Sequence, residues 1–149
     1  ARLAITCWAC RTGSPSPTMF PSLSSGTDPA RKAILVPAST TEALLGFHEG
    51  VPVAFAVFFH NFSTFLGKRG LYLEDLFVKP AVRGRGYGRA LLVRLAQIAR
   101  ERECGRMEWA VLDWNEPAIQ FYRKLGARPN DDWTIFRLTM DGISQLAGE

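Results

Sequence analysis

The stretch that most constrains this chain is a strand-forming run, a glycine-rich turn and a helix-forming run in immediate succession. Leu71–Val78 is extended in character and ends at Lys79-Pro80; Arg83-Gly84-Arg85-Gly86-Tyr87-Gly88 follows. Beyond it Leu91, Leu92, Leu95, Ile98, Ala99 and Arg102 recur at helical spacing, with Arg94, Gln97, Arg100 and Glu101 opposite. Glycines let a backbone approach a bulky anion. The first turn of a helix leaves N–H groups unsatisfied and carries a partial charge of roughly +0.5. With Arg83, Arg85 and Arg89 alongside, the unit is suited to cradle the diphosphate of a cofactor. It is not a P-loop, because Arg89-Ala90 stands where Lys-Ser/Thr would be required. A dinucleotide fingerprint needs Gly-x-Gly-x-x-Gly, whereas the spacing here is Gly84-x-Gly86-x-Gly88, and Asp113 is only loosely placed as its ribose acid. On spacing alone, a tight turn packing helix against sheet also fits.

Around this unit the chain divides into two unlike parts. Residues 1–41 are rich in Ser, Thr, Pro and Gly, as in Thr12-Gly13-Ser14-Pro15-Ser16-Pro17, and only Leu3–Trp8 and Ala33–Val36 suggest strands. Residues 42–149 form the orderly domain. Ala43–Phe47 and Val51–His60 flank the turn-like His48-Glu49-Gly50 and predict a hairpin. Asn61–Gly70 connects to the strand Leu71–Val78, in which Leu71, Leu73, Asp75 and Phe77 share one face and Tyr72, Glu74, Leu76 and Val78 the other. Helix Gly88–Glu103, closed by Gly105, precedes a strand at Met107–Leu112. Asn115-Glu116-Pro117 caps and opens a helix Pro117–Leu125 that Gly126 ends, and Trp133–Met140 predicts a last strand. The order predicts an α/β (α+β) fold, a mixed sheet covered by helices.

Composition narrows the function classes. With 149 residues, 47% apolar and 21% charged, the chain fits one globular domain. It has no apolar run of the ~18–20 residues that span a bilayer and no signal-peptide order at its start, so a cytoplasmic protein is expected. Cys7, Cys10 and Cys104 form no disulfide framework, and Cys7-x-x-Cys10 has no second ligand pair; His48 and His60 stand alone, so no metal is expected. The net charge of +4 comes from dispersed basic residues, which argues against a nucleic-acid groove.

Arg83-x-x-Gly86-x-Gly88 resembles the cofactor loop Gln/Arg-x-x-Gly-x-Gly/Ala of the GNAT superfamily of N-acetyltransferases. Its company is more specific: Leu71-Tyr72-Leu73-Glu74-Asp75-Leu76-Phe77-Val78 before it, then Asp113-Trp114-Asn115-Glu116-Pro117-Ala118-Ile119-Gln120-Phe121-Tyr122, then Leu125-Gly126-Ala127. The set is similar to the diamine (spermidine/spermine) and thialysine N-acetyltransferase branch, from about Glu42 to Gly148. The resemblance implies a mostly antiparallel sheet in which two parallel strands, Leu71–Val78 and Met107–Asp113, splay around the pantetheine arm of acetyl-CoA.

By that resemblance Leu76, Phe77 and Val78 hold the arm through backbone groups. Arg83, Gly84, Arg85, Gly86, Tyr87, Gly88 and Arg89 hold the pyrophosphate, and Asn115 touches the far side of the arm. Tyr122 aligns with the general acid that serves the departing thiolate, although a Tyr on such a helix is otherwise a core anchor. Glu74 is the candidate base and amine-binding acid, with Asp75 facing the other way and bracing the fold. Asp132 and Trp133 lie near the amine site; Glu108 and Asp131 are further acids that could line it. Phe58, Phe59, Phe62 and Phe65 divide between core and acceptor wall or dimer interface. The expected reaction is direct acetyl transfer to a small primary amine by a homodimer, with no nucleic acid or membrane partner and no role for Cys104. The family's two N-terminal acceptor-side helices are not legible in residues 1–41, so a module that binds CoA without catalysis is the alternative.

Overall fold

The computed structural model describes residues 40–148 in full and residues 4–7 by their backbone. The expected strand Ala33–Val36 and Cys10 lie outside the described residues. Two compact units are present, one running to Ala110 and the other covering Val111–Glu149.

The first unit is a sheet with one helix. Its strands are β1 (Ala4–Cys7), β2 (Glu42–His48), β3 (Val51–Ser63), β4 (Lys68–Val78) and β5 (Arg106–Trp109), with helix α1 (Tyr87–Glu101) between the last two. They lie in sequence order, antiparallel from β1 to β4, while β4 and β5 run parallel. The mixed, mostly antiparallel sheet is therefore as the sequence implied. The β2–β3 hairpin turns on Glu49 (φ 50°) and Gly50 (φ 79°), the two left-handed residues that match strand twist in a two-residue loop.

β4 departs from simple alternation. Phe58 pairs with Leu73 and Val57 with Asp75, so a bulge inserts Glu74 into the strand. Past the bulge Leu76 pairs with Ala56 and Val78 with Ala54. Leu71, Leu73, Leu76 and Val78 therefore share a face, and Asp75 and Phe77 join Tyr72 on the other. This corrects the faces expected from strict period-two reading: one extra residue flips every side chain beyond it. β5 is also shorter than Met107–Leu112, because its ladder with β4 ends at the pair Leu73–Trp109.

α1 covers the Phe58 face. Leu91, Leu95 and Ile98 are essentially fully buried with Leu44, Phe58 and Leu71, each such side chain contributing about 1.5–3 kcal/mol. Arg102, just past the helix, shares this apolar stripe because its guanidinium lies over the Phe58 ring, 6.0 Å from the centroid, and grips both carboxylate oxygens of Glu42, Nη2 to Oε2 at 2.8 Å. The helix ends in a Schellman arrangement, Cys104 N–H to Ala99 O at 2.8 Å and Glu103 N–H to Arg100 O at 3.1 Å, with Glu103 itself left-handed at φ 54°. Gly105 is thus not the C-cap. Its N–H bonds Arg69 O at 2.9 Å, and a Cβ there would meet Leu66 Cδ1 at 3.0 Å, so close approach to the β3–β4 hairpin requires glycine.

Gly70 has a similar constraint. A Cβ on it would collide with Asn61 Oδ1 and meet Arg106 Cγ at 3.2 Å. Gly70→Ala is expected to destabilise the protein by about 1–3 kcal/mol, the usual cost of overpacking. An unchanged urea midpoint would show that Asn61 simply swings aside.

His60 on β3 has a buried Nε2 without a hydrogen-bond partner among the described residues. Burial first, then Arg102, hold its pKa below the ordinary histidine value, with Arg69 acting the same way and Glu42 opposing. The unfolded chain takes up this proton near pH 6.5 and the folded chain resists it. The contribution to stability is present above about pH 6.5 and is lost as pH falls from there through the lower folded value. His60→Gln should therefore flatten the fall in Tm below about pH 6.5, and parallel Tm curves would rule the effect out.

The second unit contains α2 (Glu116–Lys124) and α3 (Met140–Ala147). α2 opens as expected, with Asn115 Oδ1 accepting from Ala118 N–H at 3.4 Å and proline in the first turn. It closes through Gly126 at φ 89°, Ala127 N–H reaching Tyr122 O at 3.2 Å. The expected strand Trp133–Met140 is not formed. Residues 133–139 join no ladder among the described residues, and Met140 instead begins α3. Met140, Ile143 and Leu146 are spaced for a helix, a signal that the apolar run before them hides.

Candidate active site

Backbone register in the first unit decides which groups of β4 are available to a ligand. Lys79 N–H bonds Val53 O at 2.9 Å, so Lys79 turns its N–H toward β3. Along an antiparallel ladder these directions alternate. Phe77 therefore points its N–H and C=O at β3, while Leu76 and Val78 point theirs at the opposite edge. On that edge β5 stops at the Leu73–Trp109 pair and β4 runs five residues farther, to Val78. Of the three residues expected to hold a pantetheine arm, two present free-edge backbone and Phe77 does not.

The glycine loop follows directly. Pro80–Val82 forms one 3-10 turn, Gly84 (φ 76°) and Gly86 (φ 87°) are left-handed, and Gly86 is the N-cap of α1. Gly86 supplies no side-chain cap, and the first helical bond closes from Ala90 N–H to Gly86 O at 2.9 Å. Among the described residues the amides of Tyr87, Gly88 and Arg89 are thus left open at the positive end of the helix. A Cβ on Gly84 or Gly86 would touch nothing within 4 Å, so the space beside them is open. Tyr87 offers only its backbone, because its ring is buried edge-on to His48, with centroids 6.0 Å apart. Arg85 and Arg89 are exposed, and Arg83 Nε–H donates to Val78 O at 3.0 Å. Open amides, space beside glycine and two exposed cations fit a diphosphate.

On the sheet face away from α1, the bulge sets Glu74 and Asp75 together opposite Val57. Both are exposed, and neither forms an ion pair or hydrogen bond among the described residues. Asp75 was expected to face the other way; a pair of acids interrupting an apolar strand was the visible signal, but not the bulge. Around them Phe59 and Tyr72 lie 5.1 Å apart and Phe55 and Phe77 stack at 5.5 Å. Glu108 on β5 pairs with Arg106 (Nε to Oε2, 2.9 Å) and accepts from Asn61 Nδ2 at 3.3 Å, a bridge that sequence reading missed because its members are 47 positions apart. Of the phenylalanines, Phe58 is core and Phe59 joins this face, while Phe62 and Phe65 are exposed.

In the second unit, Tyr122 is half-buried on α2 beside Phe121, with ring centroids 5.3 Å apart. Burial pushes its phenol pKa up, which keeps it a hydrogen-bond donor at neutral pH. Asn115 spends its side-chain oxygen on the helix cap. Asp132 and Trp133 are exposed at a turn closed by Trp133 N–H to Asn130 O at 3.3 Å. Among the described residues no cluster of metal-ligating side chains is present, and no helix is long and apolar enough to cross a membrane.

A mostly antiparallel sheet with one parallel pair that parts beside a glycine loop and an open helix terminus defines the class of CoA-dependent acyltransferase folds. Residues 13–127 match the Acetyltransferase (GNAT) family. The chain belongs to that family. It is 41% identical over 96 residues to an L-ornithine N5-acetyltransferase of Arabidopsis thaliana, covering 64% of this chain and 42% of that protein. It is 37% identical over 100 residues to a thialysine N-epsilon-acetyltransferase of Sus scrofa, covering 65% and 58% respectively. The chain thus spans about half the length of these relatives. Among solved structures, a ribosomal-protein-alanine N-acetyltransferase from Brucella melitensis shares the fold, with TM-score 0.71 at 20% identity over 93% of this chain and 100% of that one. An integron cassette protein of V. cholerae matches with TM-score 0.70 at 28% identity, over 75% and 69%.

Proposed function

We propose that this protein moves the acetyl group of acetyl-CoA directly to a primary amine of a small molecule, a polyamine or a thialysine-like amino acid. The observation that carries the reading is the uncapped opening of α1 at Gly86, next to the free edge of β4 at Leu76 and Val78. The names of the relatives, which specify ornithine and thialysine, support an amine acceptor. In this reading the amides from Gly84 to Arg89 hold the pyrophosphate, and Leu76 and Val78 pair with the pantetheine arm. Acetyl-CoA supplies an activated thioester.

The chain's own residues supply the rest. An alkylammonium with pKa about 10.4 costs roughly 4–5 kcal/mol to deprotonate near pH 7. Glu74 accepts that proton, directly or through water, and Asp75 beside it deepens the negative potential that draws a cation to the site. Asp132 and Trp133 contribute to amine binding, Asn115 to the arm, and Tyr122 donates to the departing thiolate. A homodimer and a cytoplasmic location, without nucleic acid or membrane partners, complete the proposal. Light scattering tests the first, and an oligonucleotide-binding assay tests the nucleic-acid exclusion.

The deciding experiment is acetyl-CoA-dependent thiol release against spermidine, ornithine, thialysine and lysine. Release with at least one amine is expected; CoA binding by calorimetry with no release from any would leave a binding module instead. Glu74→Gln should lower kcat/KM at pH 7 by about 10²-fold, recovering as pH rises toward the amine's own pKa. An unaltered pH profile would remove Glu74 from proton transfer.

A further inference from the structure

We infer that Arg83 is a positioning residue, tying the glycine loop to the end of β4 by the hydrogen bond from its Nε–H and not serving the cofactor through its charge. The inference rests on the proposed CoA site and concerns how its loop is held. Val78 turns its carbonyl to the edge of the sheet where, among the described residues, no strand takes it up, and Arg83 Nε–H donates to that oxygen at 3.0 Å. The same residue's backbone N–H bonds Pro80 O at 3.2 Å, Val82 N–H bonds Lys79 O at 3.0 Å, and Lys79 N–H bonds Val53 O at 2.9 Å. Residues 78–83 are thus a closed ring anchored on β3, and Arg83 is tied at both main chain and side chain.

What comes next explains why a tie matters. Gly84 and Gly86 both stand at positive φ, and glycines lose more freedom on ordering than any other residue. The direction of the amides from Gly84 to Tyr87 is set by whatever fixes the chain entering the loop. Arg83 is that fixed point. The tie also engages one lone pair of Val78 O; among the described residues no strand pairs with Leu76 N–H, Leu76 C=O or Val78 N–H.

The chemistry of the bond separates geometry from charge. The donating atom is Nε, which is bonded to Cδ. The side-chain nitrogen of glutamine is bonded to Cδ as well, in a planar group with an N–H and no charge. Lysine keeps the charge but places its nitrogen one bond farther out, on a flexible stem without a planar donor.

The test compares wild type with Arg83→Gln, Arg83→Lys and Arg83→Leu. Amide hydrogen exchange of residues 84–89 is followed without ligand, and CoA affinity is measured by calorimetry. Arg83→Gln is expected to match wild type within about threefold in both readouts. Arg83→Lys and Arg83→Leu should each speed loop exchange and weaken CoA by about fivefold to tenfold, the worth of one such hydrogen bond. Wild-type CoA affinity in the Lys variant with loss in the Gln variant would assign the role to charge and overturn the inference. Identical loop exchange in all four proteins would overturn it too. A wild type that binds no CoA would sink the proposed function, while the exchange data would still decide whether Arg83 fixes the loop.

Discussion

Gly86→Asp is expected to leave the protein folded and to weaken CoA binding by at least about a hundredfold. Gly86 caps α1 at φ 87°, and a Cβ there meets no protein atom within 4 Å. The fold is strained only through the left-handed backbone, which aspartate tolerates better than most residues, at about 1 kcal/mol. The carboxylate, in contrast, stands where a diphosphate would approach the open amides. Two like charges about 4 Å apart near a protein surface repel by a few kcal/mol, which alone exceeds two decades in affinity. An aspartate at an N-cap can also accept the very amides that the ligand needs. Gly86→Asn separates these contributions, since it keeps the shape and capping ability without the charge and should fall between wild type and the Asp variant. Calorimetric titration with CoA, alongside a thermal melt, reads both effects. Retained affinity in the Asp variant would place the cofactor elsewhere.

Tyr122→Phe should lower kcat by about 10²-fold while CoA affinity changes by less than about twofold. The ring sits half-buried against Phe121, so phenylalanine keeps the packing and removes only the hydroxyl. Burial raises the phenol's pKa, which sharpens the expected role. A free thiol titrates near 8.5 and a phenol near 10, so complete proton transfer to a thiolate is already uphill by roughly 2 kcal/mol, and burial makes it steeper. Tyr122 is better suited to donate a hydrogen bond to developing charge than to give up its proton. Activity dependent on this hydroxyl should therefore hold up to alkaline pH and fail only above the ordinary phenol range. Pre-steady-state turnover of wild type and variant at saturating amine measures the effect; equal rates would return Tyr122 to a packing role.

The glycine loop, the helix behind it and the hairpin before it were readable from sequence because each is set by neighbours in the chain. Gly86 ahead of an apolar periodicity, Asn115-Glu116-Pro117 at a helix start and Gly126 at its end carry their own backbone chemistry. Arg102 was legible as part of the apolar stripe, but its reason was not. Glu42 lies 60 positions away, and only the packing of α1 on the sheet brings them together. The expected strand Trp133–Met140 fails for a different reason: a strand needs a partner, which composition cannot supply, and the apolar run hides the helical spacing of Met140, Ile143 and Leu146.

By itself the sequence determined the glycine loop and the helix it opens, the place proposed here for the diphosphate, since left-handed glycines and a helix start without a capping side chain are local properties of a few residues. Tertiary structure alone decided which side chains join them. The bulge at Glu74 is a matter of pairing between β3 and β4, and it moved Asp75 to the face of Tyr72. The early end of β5 freed the edge at Leu76 and Val78, and register turned Phe77 away from it. Pairing register is fixed by contacts between strands, so no reading along one strand can recover it.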